Sequence, residues 1–242
     1  MIILSAGMPR AGSGWYYNLT NDLVVVAGHQ DGREIRKRYH LERVLTEVNC
    51  NIGALTVKRL LPVLVPSLLG STFVIKTHAR PTPIAQRLIQ RGWLLPTYIY
   101  RDPRDAMLSA YEYGKRGLQR GRPNAFSHLT DFEESLDFIM EYVRIWEQWM
   151  ACGETLHTRY EYLKTDYDRE AGRLVAFLGL KADDPGISDV LDKHRPEKAS
   201  AYQKGTHFSV GVSGRFREAY TADEQIILEE ILGTYLNRMG YK

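Results

Sequence analysis

Three short stretches gather the residue types that handle anions and protons. The first is Gly7-Met8-Pro9-Arg10-Ala11-Gly12-Ser13-Gly14-Trp15, lying between the apolar run Ile2 to Ala6 and a helical pattern through Trp15, Tyr16, Leu19 and Leu23. A turn of small residues at a helix start lets backbone N–H groups approach a phosphate, and the helix adds partial positive charge. The spacing nearly fits the P-loop pattern GxxxxGK[ST]. Gly7 and Gly12 are in place, but Ser13 stands at the lysine position and Gly14 at the position of the magnesium-binding hydroxyl. Ordinary ATP chemistry loses its charge stabilisation without those two groups. The cation is instead Arg10, inside the loop. The second stretch, Lys76-Thr77-His78, puts a cation beside a side chain that titrates near neutral pH. The third, Tyr100-Arg101-Asp102-Pro103-Arg104-Asp105, offers a planar arginine fork where a strand should end, and Ser109 follows two turns into the next helix. Each has a plain structural alternative: a tight turn that reverses the chain, a surface histidine, and an Arg101–Asp102 ion pair at a helix start. Asp105, in a first helical turn, reads as a partner of the helix dipole.

In this order the stretches resemble the sulfotransferases that use 3′-phosphoadenosine 5′-phosphosulfate (PAPS). Pro9 to Trp15 is similar to that family's PKSGTTW loop, with Arg10 for lysine and Ser13-Gly14 for the two threonines. Lys76-Thr77-His78 matches its KTH element, and Arg101 to Ser109 its RNPxDxxxS segment in outline. The resemblance implies a sulfuryl transfer that needs no metal. His78 would be the general base, with Lys76 and Arg10 neutralising the bridging oxygen as it leaves. It further implies that Gly12, Ser13 and Gly14 hold the 5′-phosphosulfate, that Arg101 and Ser109 hold the 3′-phosphate, and that Trp15 contacts the adenine. Tyr160, in Arg159-Tyr160-Glu161-Tyr162-Leu163, resembles the tyrosine of the family's YEDL segment, which also lies near the base. Ser209 to Phe216 is similar to RKGxxGxW through Gly211, Gly214 and Phe216, but Ser209 and Val210 replace the Arg-Lys pair. The hydroxyl of Ser209 and the backbone of Gly211, or Lys204 and His207 nearby, are the available substitutes at the 3′-phosphate. The family's dimer motif is matched only in part by Arg217, Thr221 and Ala222, which leaves the oligomeric state open.

The elements that must position these residues follow from periodicity. Strands are expected at Ile2 to Ala6, Thr72 to Lys76, Leu94 to Tyr100 and Thr155 to Tyr160. Helices are expected from Trp15, at Leu41 to Val48, Val57 to Leu69, Ile84 to Arg91, from Pro103, at Phe132 to Met150 and at Asp168 to Leu178. The segment Asp31 to His40, dense in charge, reads as a solvated loop or helix face. Gly114 to Pro123 has no period and reads as a mobile loop; its basic run from Lys115 to Arg122 is a candidate lid over the site. Arg195 to Gly214 reads as a long loop. Thr221 and Glu224 form a capping box for a last helix whose buried stripe would be Ile226, Ile227, Ile231 and Leu232. Phe138, Tyr142, Ile145, Trp146 and Trp149, at helical spacing, read as core. Alternating strands and helices imply an α/β fold, a P-loop-like parallel sheet flanked by helices on both faces, with ligands at the carboxyl ends of the strands.

Composition supports one globular domain over residues 1–242: 44% of the 242 residues are hydrophobic and 25% charged, which excludes disorder, collagen and coiled coil. A formal charge of +3 gives no reason to expect nucleic acid as a partner. Cys50 and Cys152 are far apart and carry no metal-ligand spacing, so neither a disulfide framework nor a metal site is expected. No apolar run is long enough for a membrane span, and the expectation is a cytoplasmic protein. The expected acceptor is a small molecule, glycan or lipid bearing a hydroxyl, less readily an amine. A P-loop nucleoside or nucleotide kinase, or a non-catalytic nucleotide-binding protein, is the alternative.

Overall fold

The computed structural model describes residues 1–199 and 212–241. Four strands form one parallel sheet in the order β2-β1-β3-β4: β1 is Ile2–Gly7, β2 Phe73–Thr77, β3 Leu94–Tyr100 and β4 Leu156–Arg159. Between β1 and β2 lie α1 (Ser13–Val26), α2 (Gly32–Arg38) and α3 (Val57–Leu68), and α4 (Pro83–Gln90) joins β2 to β3. α5 (Pro103–Gln119) and α6 (Phe132–Met150) precede β4. After it come α7 (Tyr160–Thr165), α8 (Tyr167–Phe177), α9 (Pro185–Lys193), α10 (Pro196–Ala199), α11 (Phe216–Ala219) and α12 (Ala222–Met239). The sheet interior is buried throughout β1 and β2, as expected when helices cover both faces of a parallel sheet. Among the described residues no helix is long and apolar enough to cross a membrane.

The register decides what can meet. Ala6 pairs with Thr77 and Tyr98, Gly7 with Ile99, and Tyr100 with Arg159. The four strands therefore end close to one another, and Arg10, His78, Arg101 and Tyr160 all leave the same carboxyl edge. β1 is where the chain departs to both sides of the sheet, the place at which open α/β sheets take ligands. On the far side of β2, the segment 50–52 adds one parallel bridge: Lys76 N–H donates to the Cys50 carbonyl (3.1 Å) and Ile52 N–H to the Lys76 carbonyl (2.8 Å). β2 is thus flanked on both sides at Lys76, whose own N–H and C=O both turn to the segment 50–52.

Besides α7 and α9, which the sequence reading does not give, and the short α10, which stands in the segment read as a long loop, the structure differs from that reading at three places outside the site. Leu41 to Val48 is not a helix but a series of turns. Its Leu45 and Val48 carbonyls accept from the Arg36 and Arg33 guanidiniums (2.8 Å each), which satisfies them without a helical ladder. α12 starts at the expected capping box, yet it buries Leu228, Leu232, Leu236 and Met239. Ile226, Ile227 and Ile231 face outward, with Ile226 58% exposed; packing of α12 against α6 selects the other stripe.

The third difference is Gly114 to Pro123, where α5 continues through Gly114 and Gly117 to Gln119 instead of giving way to a mobile loop. The glycines make a notch in that helix into which the following turn packs. Asn124 Nδ2 donates to the Tyr113 carbonyl (3.0 Å) and Ser127 Oγ to the Gly114 carbonyl (3.3 Å). A Cβ on Gly114 would lie 2.1 Å from the Phe126 carbonyl oxygen. Gly114→Ala should therefore lower the unfolding free energy by about 1–3 kcal/mol through overpacking. Gly172→Ala, in α8 with nothing within 4 Å of the added methyl, should raise it by about 0.5–1 kcal/mol. Urea unfolding of both variants checks the contrast; equal effects would refute the notch.

Candidate active site

The loop after β1 is shaped by two left-handed residues, Arg10 (φ 64°) and Gly12 (φ 76°). At Gly12 a side chain is excluded as well as strained, because a Cβ would fall 2.7 Å from the Tyr160 ring. Gly12 is the N-cap of α1, which has no side-chain cap and no acid in its first turn. The N–H groups of that turn, from Ser13, Gly14 and Trp15, have no intrahelical partner and face the loop with the positive end of the helix dipole. Ser13 is buried and Gly14 half-buried at this helix start.

His78 lies directly after β2. Its Nδ1 is 2.6 Å from the Gly7 carbonyl and its Nε2 is 2.9 Å from Lys76 Nζ. A carbonyl oxygen only accepts, so Nδ1 carries the proton and the lone pair is on Nε2, where the Lys76 ammonium donates to it. His78 is surrounded by protein on most sides but keeps an edge open to solvent. Burial, with the Lys76 charge second, holds its pKa down to about 3, against the opposing pull of the Gly7 carbonyl. The imidazole is neutral at any working pH of the free protein. Burial, with Arg10 second, brings Lys76 down to about 8. Arg10 is itself lowered to about 10, first by burial, with Arg116 and Arg101 adding repulsion. Burial is the first cause of all three shifts, and repulsion from a neighbouring cation adds to each. The Arg10 Nε donates to Ser109 Oγ (3.2 Å), which joins the loop to α5.

Arg101, just past β3, is buried; one guanidinium nitrogen donates to the Val212 carbonyl (3.0 Å) and lies 3.4 Å from Asp105. The group stands 4.9 Å from the centre of the Tyr160 ring. Its Nε is buried with no hydrogen-bond partner among the described residues, an orphaned donor of the kind an anionic ligand satisfies. Trp15 and Tyr160 belong to an aromatic cluster beside Gly12. Their rings meet edge to face at 6.5 Å, Tyr167 stacks on Trp15 at 6.2 Å, and Trp15 Nε1 donates to the His194 carbonyl (3.0 Å). Arg10, Gly12, Ser13, Lys76, His78, Arg101, Ser109 and Tyr160 thus sit along one edge of the sheet. Ser209, Gly211, Lys204 and His207 lie outside the described residues.

Sequence reasoning missed two contributors. Asp105 is not simply a dipole partner. Its carboxylate accepts the N–H groups of Gly214 (2.6 Å) and Phe216 (3.3 Å) while it pairs with Arg101, so it holds the segment 212–216 over that arginine. The Arg104 guanidinium covers the Phe216 ring at 4.1 Å and completes the latch. The four-residue spacing of Arg101 and Asp105 on a helix start was the available signal. Asp102 pairs with Arg104 and not with Arg101, and its N–H donates to Glu161, which also accepts from the Tyr241 hydroxyl (2.6 Å). That link ties the end of the described chain to the start of α5. Nothing local in the sequence announces it.

An α/β sheet whose carboxyl edge combines a capless helix start, three buried or half-buried cations and a neutral histidine is chemically suited to hold an anion beside a proton acceptor. The sulfotransferase domain family matches residues 2–209, and the chain belongs to that family. It is therefore a sulfotransferase, an enzyme of sulfuryl transfer. A search of curated protein sequences finds no match. Among solved structures, it is similar to mouse sulfotransferase SULT7A1 complexed with PAP, at 16% identity and a TM-score of 0.61, over 98% of this chain and 84% of that one. It is also similar to retinol dehydratase in complex with androsterone and inactive cofactor PAP, at 19% identity and a TM-score of 0.60, over 97% and 80% of the two chains. These similarities establish the shared fold.

Two measurements probe the site as built. The ammonium of Lys76 is destabilising at neutral pH, since the unfolded chain holds its proton with the ordinary value of 10.5 and the folded chain with about 8. That cost is full below pH 8 and fades as pH rises toward 10.5. Lys76→Met should stabilise the fold at pH 7 by about 1–3 kcal/mol. It should also remove the wild type's gain in stability between pH 8 and 10, read by urea unfolding at each pH. Separately, Asp105→Asn should speed hydrogen exchange at the Gly214 and Phe216 amides by about tenfold or more. Unchanged protection there would show that the latch lies elsewhere.

Proposed function

We propose that the protein transfers the sulfuryl group of PAPS in line to an acceptor hydroxyl, with His78 as general base. The observation that carries this reading is the bond between the Gly7 carbonyl and His78 Nδ1, which leaves the lone pair on Nε2, the atom nearest the cations. Both similar structures are complexes with PAP, and the residues here fit such a ligand by their own chemistry: an uncapped helix start, Arg10, Lys76 and the orphaned donor of Arg101. The donor, when bound, supplies a sulfuryl group on an anhydride oxygen that becomes a phosphate oxygen as it leaves.

The chain's residues divide the remaining work. The first-turn N–H groups of α1 at Ser13, Gly14 and Trp15, with Gly12, hold the 5′ anion, and Arg101 with Ser109 holds the 3′-phosphate. Trp15 and Tyr160 flank the adenine. Arg10 and Lys76 neutralise charge that develops on the leaving oxygen. Lys76 has a second consequence for timing. Its ammonium occupies the Nε2 lone pair in this structure, so the lysine must turn toward an anion before Nε2 can take a proton from a hydroxyl. The base is thereby unmasked only when the donor side is charged. The acceptor is a hydroxyl compound of small-molecule, glycan or lipid type, and the protein acts in the cytoplasm as one domain.

His78→Ala should cut transfer from ³⁵S-labelled PAPS to a panel of phenols, sterols, sugars and lipid alcohols by about 10²- to 10⁴-fold. Calorimetry should find PAP affinity, measured without metal, within about threefold of wild type, because general-base catalysis contributes little to ground-state binding. Turnover at the wild-type rate would overturn the assignment. Magnesium-dependent binding of ATP in preference to PAP would favour the kinase reading.

A further inference from the structure

Arg10 poses a problem that its catalytic assignment leaves unsolved. A non-glycine residue at φ 64° is strained, and a long cationic side chain has many rotamers, yet neutralising a leaving oxygen requires the charge to stay in one place. Ser109 Oγ accepts from its Nε, and one hydrogen bond does not by itself fix the plane of a guanidinium. The Tyr113 ring supplies that plane: its centre is 4.5 Å from the guanidinium carbon, and Phe126 adds a second ring at 5.9 Å. Tyr113 is in turn braced. Phe126 meets it edge to face at 5.8 Å, and Phe138 meets Phe126 in the same way at 5.6 Å. The turn carrying Phe126 is fixed to α5 by Asn124 and Ser127 and by the notch at Gly114. The chain from the glycine notch to Arg10 is therefore continuous.

We propose that Tyr113 is the positioning residue of Arg10, and that its aromatic platform is what makes arginine, in place of lysine, the working cation of this loop. A guanidinium is flat and weakly hydrated, so it lies on a ring face with its N–H donors directed outward in its plane, where an anion can meet them. An ammonium is a compact, strongly hydrated point charge and gains no fixed orientation from the same ring. The two residues are thus matched, and neither substitution alone preserves the geometry. This inference rests on the reading of Arg10 as a ligand of the 5′ anion.

A double-mutant cycle on PAP affinity, measured by calorimetry, tests it without knowledge of the acceptor. Tyr113→Leu should weaken PAP about five- to tenfold, and Tyr113→Phe should restore binding to within twofold, since the ring face is what matters. Arg10→Lys should weaken PAP by a similar factor. In the Arg10→Lys background, Tyr113→Leu should add less than twofold, because the platform has lost its partner. A merely structural role for Tyr113 would weaken PAP equally in both backgrounds and would overturn the proposal. So would wild-type affinity in Tyr113→Leu. Should Tyr113→Leu fail to fold, Phe126→Leu, which leaves Tyr113 but removes its brace, should weaken PAP about threefold with Arg10 and not with Lys at that position; equal losses would again refute the match. Arg10→Ala separates the two levels of the argument. Unchanged PAP affinity in that variant would refute the site reading itself, whereas a large loss there, with none in Tyr113→Leu, would refute the platform alone.

Discussion

The bond from His78 Nδ1 to the Gly7 carbonyl is the interaction on which the site depends. It crosses from the end of β2 to the end of β1, closes the gap between two loops that would otherwise be independent, and selects the tautomer. It exists because β1 and β2 run parallel and in a register that ends both at the same height, with Ala6 opposite Thr77. A slip of one residue would turn the imidazole away from the loop, since side chains alternate across a strand. The cations that share this edge are costly to bury, and their depressed pKa values measure that cost.

Much of this was legible in the residues. The strand ends were, because apolar β-branched runs followed at once by Gly, Lys-Thr-His or Arg-Asp-Pro leave few alternatives. So was the start of α5, where Asp102 caps and Pro103 occupies the first turn. The motif residues came from matching order and spacing, and the geometry brings those that are described to one edge. What was not legible depended on packing between segments distant in sequence. Gly114 and Gly117 look like loop residues until the turn at 124–127 is laid into them. Asp105 looks like a dipole partner until the backbone of Gly214 and Phe216 arrives. The outward isoleucines of α12 show the same limit: periodicity identified a helix and could not choose between two apolar stripes.

Around Arg101 the charges are arranged in layers. Asp105 neutralises part of it and spends its remaining acceptor capacity on the backbone of 212–216, so the arginine and the segment that covers it share one carboxylate. Arg104, next in line, turns away to Asp102 and to the Phe216 ring. The four polar residues from Arg101 to Asp105 thus serve different ends: Arg101 lies under the covering segment, Asp102 begins the helix, and Arg104 and Asp105 fasten that segment. A dense run of charge in sequence becomes a set of single-purpose contacts once the helix separates their directions by about 100° per residue.

The segment at 50–52 also bears on how the protein behaves in crowded solution. An open sheet presents unpaired N–H and C=O groups at its two borders, and a neighbouring chain can extend it there. Here the β2 border is occupied beside Lys76 by the chain's own backbone, and the other border is β4, only four residues long. The bridge that engages the Lys76 backbone thereby also leaves less of the β2 border open to a neighbouring chain.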